Sequence, residues 1–264
     1  MATLVTFHAH PDDEAIATGG LMVKAAEAGH RVVLVVATRG EHGEPVPGVL
    51  ADGETLADRR SLETQAAGQI LGVDAVEFLG YHDSGMMGES SNDDPDAFWR
   101  ADVGEAANRL ATILRAVSAD VLTIYDDHGG YGHPDHIQVH QVGARAARVA
   151  GIAHVFEATM NRTQILEFRA ADPDVIGEWD EEELRRFGTP IAEITHAVAI
   201  GDAIGRKRDA MVAHRSQIAD DSFFLTMTPD IFEAAFGTEW FIRHGARDHF
   251  TGPAFVDLLP GLGP

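Results

Sequence analysis

Short apolar runs and longer amphipathic stretches alternate through the first 160 residues. Leu4–Phe7, Arg31–Thr38 (RVVLVVAT), Ala75–Leu79, Asp120–Tyr125 and Ala153–Ala158 are four to eight residues long, rich in β-branched side chains, and predict strands. The second of these is apolar almost throughout, which suits a parallel strand buried on both faces. Between them, Asp13–Gly29, Thr55–Leu71, Ala97–Val117 and the stretch ending near Ala150 predict helices, with Gly29 and Gly72 placed to end the first two in the left-handed conformation. In Ala97–Val117 the apolar residues Val103, Leu110, Ile113, Leu114 and Val117 recur at helical spacing. Strands alternating with helices of this length imply βαβ units, hence an α/β, Rossmann-like, three-layer fold with a mainly parallel sheet.

After residue 160 the pattern loosens. Asn161–Ala171 and Asp202–His214 predict helices, Glu193–Ala199 a strand, and Asp172–Phe187 an acidic insertion or lid, while 216–264 read as mainly irregular. No repeat and no dividing linker interrupts the chain, so 1–264 is expected to be one domain, with a core over about 1–160 and 161–264 completing a pocket. Two polar loops are long enough to carry function: Arg39–Gly53, with Glu41, His42 and Glu44, and Gly80–Pro95 (GYHDSGMMGESSNDDP).

Composition narrows the chemistry. The 264 residues carry a formal charge of −22, and Lys24 and Lys207 are the only lysines. Such a field repels phosphate backbones and anionic lipid, so neither nucleic acid nor a membrane surface is an expected partner. Cysteine is absent, which removes disulfides, thiolate nucleophiles and Cys-based zinc sites; a metal would have to be held by His and carboxylate. The N-terminus MATLVTFHAH has no basic region and no long apolar run, and no stretch approaches the roughly 20 apolar residues of a membrane span, so a cytoplasmic location is expected.

The chemistry concentrates at two strand-to-helix junctions. Phe7-His8-Ala9-His10-Pro11-Asp12-Asp13-Glu14 follows the first predicted strand, and Asp126–His136 (DDHGGYGHPDH) follows the fourth. Both contain His-Pro-Asp. The carboxyl ends of strands in an open α/β sheet are where ligands bind, so the two strings should meet in one crevice at the ends of strands 1 and 4. At a helix start, positions i and i+3 share a face; His10 can pair with Asp13, and His133 or His136 can reach the same place. Two His and one carboxylate with a position left for water is the donor set of a catalytic zinc site, and it also accepts ferrous iron.

At these residues the chain resembles the PIG-L/LmbE-like zinc-dependent N-deacetylases, a family that includes N-acetylglucosaminyl-phosphatidylinositol deacetylases, N-acetylglucosaminyl-inositol deacetylases and mycothiol conjugate amidases. The resemblance rests on HAHPDDE at 8–14 and GGYGHPDH at 129–136. Arg60 with Glu63, and DSGM at 83–86, look most like the mycothiol-pathway branch, and KRDAMVAHRSQ at 207–217 is also similar to the family. The resemblance implies that His10, Asp13 and His136 bind the metal and that Asp12 is the general base. It implies that His133, if protonated, stabilises the oxyanion with Asp135 holding its ring, that Tyr131 donates to the same oxyanion, and that Arg60 and Asp83 contact sugar or inositol hydroxyls. The implied substrate is a small N-acylated aminosugar and the implied reaction is amide hydrolysis; a mycothiol S-conjugate or another aminosugar is the alternative. An amide is a poor electrophile, so water activation and oxyanion stabilisation are both needed.

Blander roles compete at several positions. Asp12 could cap the first helix, and Glu14 could complement its dipole. His8 is expected to be a packed or supporting His rather than a ligand, and His140 a structural one. His214 could line the pocket, and Glu41 and Glu44 could face it. His10-x-Asp12 with His136 also imitates the facial triad of non-haem iron oxygenases, but the parallel α/β pattern argues against that fold. A sugar-binding protein with a vestigial site is the third class. The sequence leaves homo-oligomerisation open.

Overall fold

A computed structural model describes residues 1–171, 181–245 and 254–255. In chain order the elements are β1 (Thr3–His8), α1 (Asp13–Ala17), α2 (Gly19–Glu27), β2 (Arg31–Val36), α3 (Leu56–Leu71), β3 (Ala75–Phe78), α4 (Val103–Ala116), β4 (Val121–Tyr125), α5 (Gly129–Gly132), α6 (Pro134–Ala150) and β5 (His154–Thr159). Then follow α7 (Arg162–Ala171), α8 (Glu181–Leu184), β6 (His196–Ala199), α9 (Ile204–Ala213), α10 (Phe223–Thr226), α11 (Pro229–Phe236), β7 (Thr238–Arg243) and β8 (Ala254–Phe255).

One sheet has the order β3-β2-β1-β4-β5-β7-β6-β8, parallel from β3 through β5, with β7 antiparallel to both of its neighbours. Helices cover both faces: α4 packs on α6, and α3 on α9 with α2 beside it. The central strands are apolar on both sides because both sides meet helices. Leu4, Val5, Phe7, Val32–Val36, Val121 and Leu122 are completely buried. The chain leaves β1 toward β2 and β3, then returns to place β4 on the other side of β1. That reversal opens a crevice at the carboxyl ends of β1 and β4, and both His-Pro-Asp strings lie there. The predicted fold class and site location therefore hold.

Three boundaries differ from the sequence reading. The helix expected over Asp13–Gly29 is broken at Thr18 (φ −137°, ψ 12°), whose hydroxyl bonds His8 Nε2 at 2.9 Å instead of continuing a helical surface. Gly20 sits at the start of α2 against Ile200, where a Cβ would lie 2.3 Å from Ile200 Cγ2, so the break also sets a close approach. The helix expected from Ala97 begins at Val103, because the Asp102 carboxylate caps it by accepting Glu105 N–H at 2.9 Å; Phe98–Arg100 form a separate single turn. The stretch 216–264 is not mainly irregular where it is described. Thr228 caps α11 with Pro229 in its first turn, and β7 enters the middle of the sheet. Of the acidic stretch Asp172–Phe187, residues 172–180 lie outside the described residues, and α8 and Phe187 follow them.

Candidate metal centre and active site

The site floor is built from the turn between β1 and α1. Asp12 has φ 96°, one of two described non-glycine residues with positive φ, and its side chain caps nothing. A helix cap would hold its carboxylate against the first turn; here it accepts from Arg60 Nη2 at 3.2 Å. Backbone held in this region costs about 1–3 kcal/mol and persists only where surroundings impose it. Two groups impose it. Glu14 Oε2 accepts the Asp12 N–H at 2.9 Å, and Arg60 Nη2 binds Pro11 O at 2.5 Å. Burial, with Asp13 and Glu14 adding negative charge and Arg60 and His214 opposing, pushes the Asp12 carboxyl up to about 6. A carboxylate poised so close to neutrality suits a general base.

Asp13 Oδ2 lies 3.5 Å from His10 Nδ1 and 3.4 Å from His136 Nε2. Burial raises the Asp13 carboxyl, but His136 and His10 outweigh it and hold the group well below the carboxylate range. His136 Nε2 is buried and has no hydrogen-bond partner. An orphaned imidazole nitrogen beside an ionised carboxylate and a second imidazole is a donor set that fits a divalent metal. His10, His133 and His136 also offer one nitrogen each within 4.8 Å of one another. His133 is less free to ligate, because its Nδ1 caps α6 by accepting Asp135 N–H at 3.1 Å.

His10 presents its other nitrogen to carboxylates: Nε2 is 3.1 Å from Asp135 Oδ2 and 3.3 Å from Asp83 Oδ1. Metal-ligating imidazoles are held in this way, through the nitrogen that does not ligate. Burial opposes charge on His10, yet Asp83, Asp13 and Asp135 prevail and raise its pKa well above 6.5. Asp135 was expected to hold the ring of His133. Its carboxylate instead takes His10 Nε2, Ser84 N–H at 2.9 Å and the Ser84 hydroxyl, so only its backbone N–H reaches His133. The resemblance gives His133 its oxyanion role if the ring is protonated. Burial, with His10 and His136 close by, lowers it to about 3, which favours the neutral ring with Nδ1 accepting and the proton on Nε2.

Tyr131 stands on a turn whose glycines 129, 130 and 132 all have positive φ. At Gly129 a Cβ would meet His136 Cβ at 2.7 Å, so the turn can press against α6 only without a side chain there. The Tyr131 ring is part-exposed, edge-on to His136 at 5.0 Å and stacked on Phe187 at 6.0 Å.

Arg60 and Asp83, expected to meet substrate, are 4% and 5% exposed and already engaged within the chain. Arg60 binds Pro11 O, Gly40 O and Asp12, leaving Nε without a partner. Gly40 has φ +66°, and a Cβ there would fall 2.1 Å from Arg60 Nη1. Asp83 accepts from Gly85 N–H at 2.9 Å and His42 N–H at 3.2 Å while facing His10. Glu41 supports it by accepting Asp83 N–H at 3.0 Å.

The remaining candidates find other tasks. His8 is packed as expected, with both nitrogens satisfied by Tyr125 and Thr18, and burial lowers it to about 4. Glu14 is no exposed dipole charge: it is completely buried and pairs with His214 Nε2 at 2.6 Å. His214 is equally buried, so it underlies the site rather than lining the pocket. Ser216 N–H and hydroxyl donate to Glu63 at 3.0 and 2.6 Å, which locks the same segment to α3. Sequence reasoning missed Tyr125, stacked on His136 at 4.5 Å, and Ser84, which holds Asp135. Tyr125 ends β4 and Ser84 lies inside DSGM, so position was the only signal for the first and motif membership for the second.

Residues 5–147 match the family model described as PIG-L, GlcNAc-PI de-N-acetylase. A Thermomonospora curvata protein named 1D-myo-inositol 2-acetamido-2-deoxy-alpha-D-glucopyranoside deacetylase is 38% identical over 97% of this chain and 96% of its own length. A protein of that name from Acidothermus cellulolyticus is 40% identical over 91% of this chain and 88% of its own. Among solved structures, N,N'-diacetylchitobiose deacetylase from Pyrococcus horikoshii superposes with a TM-score of 0.60 at 23% identity, covering 90% of this chain and 82% of that one, a likeness of fold.

Proposed function

The chain belongs to the PIG-L family of de-N-acetylases, and from that premise we propose that it removes the acetyl group of an N-acetylglucosaminyl-inositol, using the nine residues named from its two motifs and their neighbours. It is a metal-dependent N-deacetylase acting on a glucosamine-containing small molecule. The inositol aglycone is the finer reading, supported by 36–40% identity to inositol-glucosaminide deacetylases across nearly the whole chain. The observation that carries the mechanism is the pose of Asp12: buried, left-handed, and held by Arg60 and Glu14 beside Asp13.

His10, Asp13 and His136 would hold the metal, zinc in this reading, with ferrous iron accepted by the same donors. When bound, the ion polarises the amide carbonyl and makes water more acidic. Asp12 takes the proton of the attacking water and, with a carboxyl near 6, can hold it for the leaving amine. Neutral His133 offers Nε2–H to the developing oxyanion, and the Tyr131 hydroxyl approaches the same oxygen from the glycine turn. Asp135 and Asp83 orient His10. Arg60 and Asp83, both buried and engaged within the chain, act on the reaction by holding the Asp12 turn and His10 in place.

The described residues after 160 belong to the same unit in this reading, since β7 and β6 extend the sheet and Phe187 flanks Tyr131. No described helix is long and apolar enough to cross a membrane. The test is amine release from N-acetylglucosamine, its inositol conjugate, a mycothiol S-conjugate and chitobiose, with metal content measured in the same preparation. Selective release from the inositol conjugate is expected; release from chitobiose alone would overturn the aglycone, and metal with no release from any amide would overturn the activity.

A further inference from the structure

A second group of metal-type donors converges one helical turn from the active site. His140 follows His136 by four residues on α6 and therefore lies on the same helix face. Glu157 projects from β5, and His244 directly follows β7. One donor atom from each of these three residues lies within 4.8 Å of the others. The proposed hydrolysis uses none of them.

We propose that His140, Glu157 and His244 form a second binding site for a first-row divalent cation of the zinc, cobalt or nickel type. Two imidazoles and one carboxylate select these borderline ions over magnesium or calcium, which take oxygen donors. His140 donates Nδ1–H to the Tyr125 carbonyl at 3.0 Å, which orients the ring and leaves Nε2 as the nitrogen that can accept an ion. Binding one ring nitrogen to a carbonyl is how proteins orient metal-ligating imidazoles. His244 Nδ1 is 2.6 Å from Glu157 Oε1, and its ring is 5.7 Å from that of His140.

The backbone around the group is fixed. Glu157 pairs across the sheet with Ile242, and His244 N–H donates to Val155 O at 3.0 Å. The Glu157 side chain is 10% exposed and that of His244 is 30%, so donors are sheltered while a path for the ion stays open. Glu157 Oε1 is thus faced by both imidazoles, His244 Nδ1 at 2.6 Å and His140 Nδ1 at 3.8 Å. A cation shared by all three would staple α6, β5 and the end of β7 together.

The test is metal uptake by the stripped full-length chain, titrated with Co2+ and Zn2+ and read by calorimetry, elemental analysis and the visible spectrum of Co2+. The wild type should take two ions per chain. His244→Gln should take one and keep its deacetylase activity, His136→Ala should also take one, and the double variant none. The second ion should raise the Tm of the wild type but not that of His244→Gln. One ion in the wild type, or two ions unchanged in both His244→Gln and Glu157→Gln, would overturn the site. Should His244→Gln misfold by circular dichroism, the wild-type and His136→Ala counts still decide, because no ion in His136→Ala excludes a second site.

Discussion

Arg60 Nη2 stands 3.2 Å from Asp12 Oδ2 and 2.5 Å from the carbonyl oxygen of Pro11, so one guanidinium sets both the side chain and the backbone of the same turn. Its charge favours the ionised Asp12 carboxyl against burial. Removing that charge raises the pKa of Asp12, which keeps the base protonated to a higher pH. Arg60→Gln should therefore shift the acid limb of kcat/KM to higher pH, and Arg60→Lys should restore much of it. An unmoved limb in the Gln variant would break the link between Arg60 and the base.

Asp12→Asn keeps the size of the side chain and an oxygen for Arg60, and Asn tolerates positive φ. It cannot take a proton. Turnover should fall by about 10²–10⁴-fold, the usual contribution of general acid–base catalysis, while metal content stays at the wild-type level. Activity near wild type would remove Asp12 from its role.

Metal uptake should release protons. Asp83, Asp13 and Asp135 keep the metal-free His10 protonated above the ordinary imidazole range, and an ion must displace that proton to bind. Affinity for zinc should go on rising with pH beyond 6.5. Calorimetry in buffers of different ionisation heat should show proton release at neutral pH. His136→Ala should lose the ion at this site; retention of full occupancy there would refute the ligand set.

Glu14 and His214 form a buried pair 200 residues apart in sequence. Burial opposes charge on His214, but Glu14 outweighs it and raises its pKa above 6.5. The pair's contribution to stability is then complete below 6.5 and is lost as pH rises through the raised value. His214→Gln should lower the Tm at about pH 6 by more than at about pH 9. A difference that grows with pH would contradict the pairing. Glu14→Gln should lower kcat more than it changes KM, since Glu14 also holds the N–H of Asp12.

Legibility in the sequence followed distance along the chain. The parallel core and both junctions could be read because β1, β2 and β4 are short, mainly apolar runs and the His-Pro-Asp strings follow β1 and β4. His8 could be placed as a packed residue for the same local reason. What could not be read depends on long-range partners. Glu14 looks like a first-turn charge until His214 folds beneath it, and Asp135 looks like a partner of His133 until Ser84 and His10 take its carboxylate. Arg60 looks like an exposed helix residue until Gly40 and Pro11 close over it. β7 was missed because its pairing partners, β5 and β6, precede it by tens of residues and no local pattern announces an inserted antiparallel strand.

The reversal of strand order between β1 and β4 also sets a timetable. During synthesis Asp13 emerges more than a hundred residues before His136, and the segment bearing His214 and Ser216, which props the base, comes later still. An amino-terminal fragment ending before β4 contains the whole HAHPDDE string and only part of its ligand set. His10, Asp13, His136 and the His214 that underlies Asp12 are therefore all present in one chain only after synthesis has passed residue 214.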